Sequence, residues 1–449
     1  MQYIRRGCLG VAAIAALLAV IGAVADAPEV WQSAVLVAGF AAAIGIGAVK
    51  ALASYQYTAW IIACVIAALL FPGAFDSWGG VELSGGRLIT TIVQLVMFGM
   101  ATQMRLRDFQ GVVRHPRGVL VGLIGHYSVM PIAAVILVHF AGLPTEIGLG
   151  VILYGCVSSG LASNVMSLLA KANLALAVTI TALSTIASPL MTPLLMKLLA
   201  GRIVDVSFVG MMFDVIRITL VPVSAALLVD YLRTAAPAAR RKVDIAVGCS
   251  VAWLAAVFVF GWQLATEHLS TTGVNLIESI SYVAGAVILA RCYQALVSGP
   301  LPVLETLMPY ASMFGIMYYN TITTAAGRDA LLEVGVTLLI VGLIHNLTGY
   351  TFGYWGARAA GLDQPSARST AFEVGLQNGG MATGAAAAMG MVGTAGLAAA
   401  VFSPLGNITG SLLANYWSRR LPKTADPVDP PSTAPLQSAT VTEEDTNRA

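Results

Sequence analysis

The chain has 449 residues, 57% of them apolar and only 10% charged. Its mean hydropathy of +0.81 excludes an ordinary soluble domain, in which roughly a quarter of the residues carry charge. Lys+Arg 24 against Asp+Glu 22 leaves +2, so no net field draws in nucleic acid or acidic partners. Each bilayer crossing needs about 20 mostly apolar residues, and about fourteen such runs can be counted. Lipid offers no water to an open sheet edge, so the fold class is all-α, a polytopic membrane bundle.

In chain order, Arg5 and Arg6 precede an apolar run to Ala25. It reads either as a signal peptide ending in Ala23, Val24 and Ala25 or as a retained span. The second apolar run, Val35 to Ala53, favours a helical hairpin over 1–56. Further spans are predicted over 57–74, 88–104, 117–141, 145–171, 174–200, 207–231, 244–265, 277–297, 305–326, 331–356, 367–392 and 394–418. Arg105, Arg107, Arg114, Arg117, Arg233, Arg240, Arg241, Lys242, Arg358, Arg368, Arg419, Arg420 and Lys423 sort to one side, as loop charges. By the positive-inside rule that side is cytoplasmic, which puts both termini there; the expected location is the inner (plasma) membrane. After Lys423 the chain turns to Pro, Ser, Thr, Asp and Glu, so 425–449 reads as a disordered cytoplasmic tail.

The five cysteines, Cys8, Cys64, Cys156, Cys249 and Cys292, are scattered singly, with neither CxxC pairs nor zinc-ligand spacing. No GxxxxGK[ST] or HExxH motif occurs, which disfavours ATP-driven pumping and metalloenzyme chemistry. The absence of a nucleophile paired to a base argues against an intramembrane enzyme.

Two spans interrupt themselves. The run from Ile147 reaches Cys156 and meets Val157, Ser158, Ser159, Gly160, Leu161, Ala162, Ser163 and Asn164 before the helical pattern resumes. The run from Pro365 passes Phe372, Glu373 and Val374 and meets Gly375, Leu376, Gln377, Asn378, Gly379 and Gly380. The loop charges run these segments in opposite directions, as an inverted repeat would. Paired interrupted spans point to a transporter site, because unwound carbonyls and half-helix ends can hold ions and substrates at mid-membrane. Small residues alone equally permit close helix packing.

Glu373 favours the site reading, since a carboxylate within a span is costly and normally faces a cavity, a partner or an ion path. Its neighbours Gln377 and Asn378 add oxygens, and a hard cation such as Na⁺ takes oxygen ligands. His126 lies inside an apolar span; a lone buried His is more often a packing residue than a ligand, yet its ring titrates near neutral pH. His345 with Asn346 is assigned to helix packing, and Asp214 with Arg217, spaced i, i+3, to a mutual ion pair.

With these residues in view the chain resembles the bile acid:sodium symporter family. The resemblance rests on Met97-Phe98-Gly99-Met100, on Ala162-Ser163-Asn164-Val165-Met166 with Leu169-Ala170 and Ser184-Thr185, and on Glu373-Val374-Gly375-Leu376-Gln377-Asn378. His345-Asn346 and Asn407-Ile408-Thr409-Gly410-Ser411-Leu412-Leu413 extend it. It implies a ten-helix plan with two discontinuous crossing helices. Core helices would be 117–200 and 331–418, and panel helices 57–104, 207–231 and 305–326. The hairpin 1–56 and a helix pair within 237–302 stand outside the plan and are expected at the periphery.

The resemblance also implies one sodium site from Ser163, Asn164, Thr181 and Glu373. A second would use Glu373, the Val374 and Leu376 carbonyls and Gln377. Two positions depart: Ala177 stands where the family offers a serine, and His126 where it offers a glutamine, so each ion site has lost one oxygen. An imidazolium at His126, beside Glu373, could replace the second cation, leaving at most one sodium. Substrate, a small organic anion, would meet Asn378 and Asn407, with Ser159 and Leu161 at the break behind it. Leu161 favours a hydrophobic carboxylate. The implied activity is cation-coupled symport by alternating access of core against panel, with Na⁺ as the coupling ion and no other cofactor. The alternatives are a proton-coupled or uncoupled carrier, or a non-transporting receptor of the same fold.

Overall fold

The computed structural model describes residues 2–49, 52–110, 115–201, 204 and 207–420; Arg114, Lys423 and the predicted tail 425–449 lie outside the described residues. The helices are α1 (Gln2–Val24), α2 (Pro28–Gly45), α3 (Gln56–Leu70), α4 (Gly86–Ala101), α5 (Pro116–Ala141), α6 (Thr145–Cys156), α7 (Ala162–Leu169) and α8 (Leu174–Leu199). They continue with α9 (Phe208–Thr234), α10 (Pro237–Ala256), α11 (Trp262–His268), α12 (Thr271–Val297), α13 (Val303–Ala326) and α14 (Arg328–Ala359). The last are α15 (Gln364–Gly375), α16 (Gly379–Ala388) and α17 (Gly396–Ser418). Nine helices among the described residues are long and apolar enough to cross a membrane. A two-residue hairpin, Ser77–Trp78 against Val81–Glu82, is the one sheet described.

Local chemistry sets the helix starts. Asn173 caps α8 by accepting from the Leu176 N–H at 3.1 Å, and Asp363 caps α15 by accepting from the Ser366 N–H at 2.9 Å, with Pro365 in the first turn. Such caps satisfy backbone donors that a helix end leaves free. A wide, π-type turn at Ile216–Leu220 lies within α9, and a second at Val257–Gly261 joins α10 to α11.

The helices pack in two groups. In one, α14 packs on α5, α15 and α17, while α8 packs on α5, α6 and α15. Its cluster includes Leu149, Leu153, Tyr154, Leu338, Met381 and Phe402. In the other, α13 packs on α3 and α4, and α9 on α4, around Val93, Phe98, Ile218 and Tyr319. Between them α16 lies against α4; its sequence is nearly all Gly and Ala, which lets membrane helices approach closely where lipid supplies no hydrophobic drive.

The additional helices attach to the second group. α1 pairs with α2, and α2 packs on α3. α12 packs on α9 and carries α10. Arg217 ties α12 down: it pairs with Glu278 at 2.8 Å and donates to the Asn275 carbonyl at 2.8 Å and to Ser279 Oγ at 3.1 Å. The Asp214 pair predicted from the i, i+3 spacing is present but longer, at 3.6 Å. The inter-helix partner dominates because Glu278 approaches from the facing helix.

Arg368 needs correcting as a loop charge. It is buried on α15 and donates to the carbonyls of Ala170 at 3.1 Å, Trp417 at 3.2 Å and Arg420 at 2.7 Å. The guanidinium collects carbonyls left free at the ends of α7 and α17, where a cation is favoured.

Candidate ion and substrate site

Both interrupted spans are broken where the sequence placed the breaks: α6 ends at Cys156 and α7 resumes at Ala162, while α15 ends at Gly375 and α16 resumes at Gly379. The two unwound stretches meet as a short antiparallel bridge between Ser159 and Gln377. The Gly160 N–H donates to the Leu376 carbonyl at 2.9 Å, and the Asn378 N–H to the Ser158 carbonyl at 2.8 Å. Gly160 is required by this approach, since a Cβ there would sit 2.7 Å from the Gln377 carbonyl oxygen. Backbone groups released by unwinding are thus satisfied across the crossing instead of within a helix.

Glu373, fully buried, projects into this crossing. Ser163 Oγ donates to its Oε1 at 2.6 Å. Ser159 Oγ and Thr181 Oγ1 donate to its Oε2, each at 2.7 Å. Asn164 is half-buried, with its Oδ1 at 3.3 Å from Thr181 Oγ1. The donors come from three helical segments: the first break, α7 and α8. Among the described residues no Lys, Arg or His makes an ion pair with Glu373. A buried carboxylate with no cation is expensive to keep charged, and the surrounding set is purely oxygen, the chemistry of a hard cation.

Ser159 therefore differs from expectation. The resemblance puts it on the substrate path, and its hydroxyl instead joins the Glu373 carboxylate. An unwound stretch has no helical period from which to read the direction of its side chains.

The second expected set is arranged differently. The Val374 carbonyl accepts from Gln377 Nε2 at 2.9 Å, and the Leu376 carbonyl already accepts from the Gly160 N–H at 2.9 Å. Gln377 Oε1 is buried and has no partner among the described residues. His126, also fully buried, has Nδ1 at 2.9 Å from the Glu373 main-chain carbonyl and Nε2 at 2.9 Å from the Val157 carbonyl. It thus corrects the assignment as an ion ligand: both nitrogens face main-chain carbonyls, and the ring meets the carbonyl of Glu373, not its carboxylate. The ring bridges the ends of α6 and α15 across the crossing. A neutral imidazole carries one N–H and donates to one of these two acceptors at a time.

Asn378 caps α16, its Oδ1 accepting from the Met381 N–H at 3.0 Å, and its Nδ2 reaches Met97 Sδ of α4 at 3.7 Å. A Cβ at Gly380 would lie 3.5 Å from both Asn378 Oδ1 and the Tyr319 hydroxyl of α13. The start of α16 is thus bracketed by side chains of both helix groups. Leu161 packs against the apolar cluster of α4, α9 and α13. Asn407 is half-buried on α17 and makes no side-chain hydrogen bond among the described residues, so nothing ties it to the others.

Polar residues not foreseen also approach this boundary. Asn320 Oδ1 and Thr323 Oγ1 on α13 and Thr383 Oγ1 on α16 are buried without partners among the described residues. The run Tyr318-Tyr319-Asn320-Thr321-Ile322-Thr323-Thr324 carried the signal, an unusually polar stretch within a span. The His345 ring bonds the Met130 carbonyl through Nε2 at 3.2 Å, while its Nδ1 and the Asn346 amide are buried without a partner among the described residues.

A profile of the Sodium Bile acid symporter family matches residues 90–268. The chain is also 30% identical over 371 residues to the uncharacterized sodium-dependent transporter YocS of Bacillus subtilis, covering 83% of this chain and 93% of the relative. The chain belongs to the sodium bile acid symporter family. Further relatives are the probable sodium/metabolite cotransporter BASS1, chloroplastic, of Arabidopsis thaliana, 25% identical over 82% of this chain and 75% of the relative, and the ileal sodium/bile acid cotransporter of Cricetulus griseus, 26% identical over 65% of this chain and 66% of the relative. Membership makes this multi-pass membrane protein a transporter of the symporter kind, not an enzyme.

Proposed function

We propose that the protein couples sodium entry to uptake of an organic anion across the plasma membrane, by alternating access of the α5–α8 and α14–α17 group against the α3, α4, α9 and α13 group. The observation that carries this reading is the Glu373 carboxylate, fully buried, held by three hydroxyls and lacking a protein cation. One Na⁺ among Glu373, Ser163, Thr181 and Asn164 neutralises it with oxygen donors. Ser159 completes the set. The Val374 and Leu376 carbonyls and Gln377 serve the crossing itself, and His126 bridges the two half-helix ends, so a single sodium per chain is proposed. Sodium is cargo here, bound and released in each cycle.

The substrate meets the start of α16, at Asn378, where the free N–H groups and positive end of a half-helix favour an anion. Leu161 and Met97 supply apolar contact, which favours a carboxylate with a hydrophobic body, and Asn407 approaches from α17. Coupling follows because the break that carries Ser159 and Ser163 is bonded to the break that leads into Asn378, so filling the cation site fixes the geometry of the anion site. The basic loops, including Arg105, Arg107, Arg233 and Arg240, support a cytoplasmic position for that end and for both termini.

The test is uptake into proteoliposomes with imposed sodium gradients, screened over hydrophobic and small polar carboxylates. Accumulation above equilibrium that follows the sodium gradient supports the reading. Accumulation that follows only a proton gradient replaces it with proton coupling.

A further inference from the structure

The inserted helices create a second cavity that the crossing does not use. α10 contributes no buried residue and packs chiefly on α12, so an apolar helix stands off the bundle. The space it roofs, between α4, α9, α10 and α12, is a crevice of about 910 Å³, near the upper end of the roughly 300–1,000 Å³ spanned by small-ligand pockets. Its walls include Leu95, Phe98, Leu254, Val257 and Leu289. Such walls offer water no partners, and within a bilayer hydrocarbon fills the space instead.

The depth of the crevice limits the occupant. Arg87 at its rim and Phe98 at its floor lie on the same helix, and at a rise of about 1.5 Å per residue they are roughly 16 Å apart. That is close to half of a hydrocarbon core about 30 Å thick. The crevice is therefore one leaflet deep, open on the side opposite the basic loops.

Charged groups gather at the rim, while Thr91, Gln94 and Ser281 add neutral polar atoms along the walls. Arg87 is exposed and makes no ion pair among the described residues. Glu278 and Tyr282 line the same rim, and Glu278 Oε2 faces Arg217 at 2.8 Å. Counting Arg87 and Arg217 against Asp214 and Glu278, the local charge sums to zero, with Arg87 outside any ion pair among the described residues and Glu278 on the facing helix shared with Arg217. A simple anion would meet Arg87 but also the two carboxylates; a zwitterion matches both signs.

We propose that this crevice binds a zwitterionic aminophospholipid of that leaflet. Its phosphate sits at Arg87 and Tyr282, its ammonium at Glu278, and an acyl chain runs down to Phe98. The lipid takes the place of protein packing between α10 and α4. Because α4 also carries Met97 against Asn378, the lipid supports the helix that faces the anion site.

Two substitutions test this without touching the crossing. A Cβ at Gly285, within the crevice, would meet nothing within 4 Å, so Gly285→Leu fills the space without displacing protein. Arg87→Gln removes the rim cation at an exposed position. The readout is native mass spectrometry of the delipidated protein titrated separately with phosphatidylethanolamine, phosphatidylglycerol and palmitate, with thermal unfolding in lipid-free detergent as the check on folding. Binding of phosphatidylethanolamine should be at least tenfold tighter than that of phosphatidylglycerol. It should fall at least tenfold in each variant while lipid-free unfolding is unchanged. Equal or tighter binding of phosphatidylglycerol, displacement of phosphatidylethanolamine by palmitate, or binding that survives both substitutions would overturn the proposal. None of these outcomes depends on sodium coupling.

Discussion

The two sides of the crossing use similar residue types to opposite ends. On the Glu373 side-chain face, hydroxyls of Ser159, Ser163 and Thr181 converge on one carboxyl group, which has no cationic partner among the described residues. On the main-chain face, Gln377 donates to the Val374 carbonyl and His126 spans the carbonyls of Glu373 and Val157. The first face holds a carboxylate that, on the proposed reading, an external cation neutralises; the second carries protein hydrogen bonds on its carbonyls and leaves Gln377 Oε1 without a partner among the described residues. On the proposed reading the same unwound backbone carries a cation site on one face and, on the other, a fastening in which the His126 ring lies between two carbonyls.

The largest expected effect comes from removing the charge that distinguishes the two faces. Glu373→Gln keeps the shape and deletes the carboxylate, and coupled uptake in proteoliposomes should fall by about 100-fold or more, since a charged ligand contributes more than a neutral one. The protein should still elute as a single folded species, because a neutral side chain suits the buried site better than an unpaired charge. Wild-type accumulation by the variant would contradict the assignment.

Thr181→Val and Ser163→Ala each remove one hydroxyl from the carboxylate. Sodium affinity, read from the concentration dependence of uptake, should weaken by about tenfold in each, the equivalent of roughly 1.4 kcal/mol. Asn164→Ala should cost less, because its oxygen lies at 3.3 Å from Thr181 and not on the carboxylate. Gln377→Ala sharpens the comparison from the other face: it loosens the Val374 carbonyl and should lower transport rate by a few-fold, a crude expectation for one neutral hydrogen bond, with little change in sodium affinity. An affinity loss equal to that of Ser163→Ala would mean that both faces bind sodium. The smallest effect on sodium binding is expected at the periphery: Arg87→Gln should leave sodium affinity unchanged in the same uptake measurement.

The sequence carries the membrane spans because twenty-residue apolar runs need no partner to be recognised, and it carries Glu373 because a carboxylate in such a run has to be explained. It also places both breaks, since Ser158 to Asn164 and Gly375 to Gly380 interrupt otherwise continuous helical patterns. Direction within the breaks is not legible. Ser159 turns to the carboxylate, and the His126 ring turns to two carbonyls, because those orientations are set by the antiparallel bridge between segments some two hundred residues apart. Arg368 looks like a loop charge beside Pro365, yet the ends of α7 and α17 converge on it, which only the packing reveals. Arg217 shows the same limit: i, i+3 spacing finds Asp214, while Glu278 comes from a helix whose position the spacing does not encode.

The central claim is that one face of the crossing, and not both, holds sodium. Equilibrium binding of radioactive Na⁺ to purified protein, titrated to saturation, tests it most directly. The account predicts about one Na⁺ per chain with a hyperbolic isotherm, as expected for one independent site, and loss of that binding in Glu373→Gln. Two ions per chain, a cooperative isotherm, or undiminished binding in Glu373→Gln would contradict it.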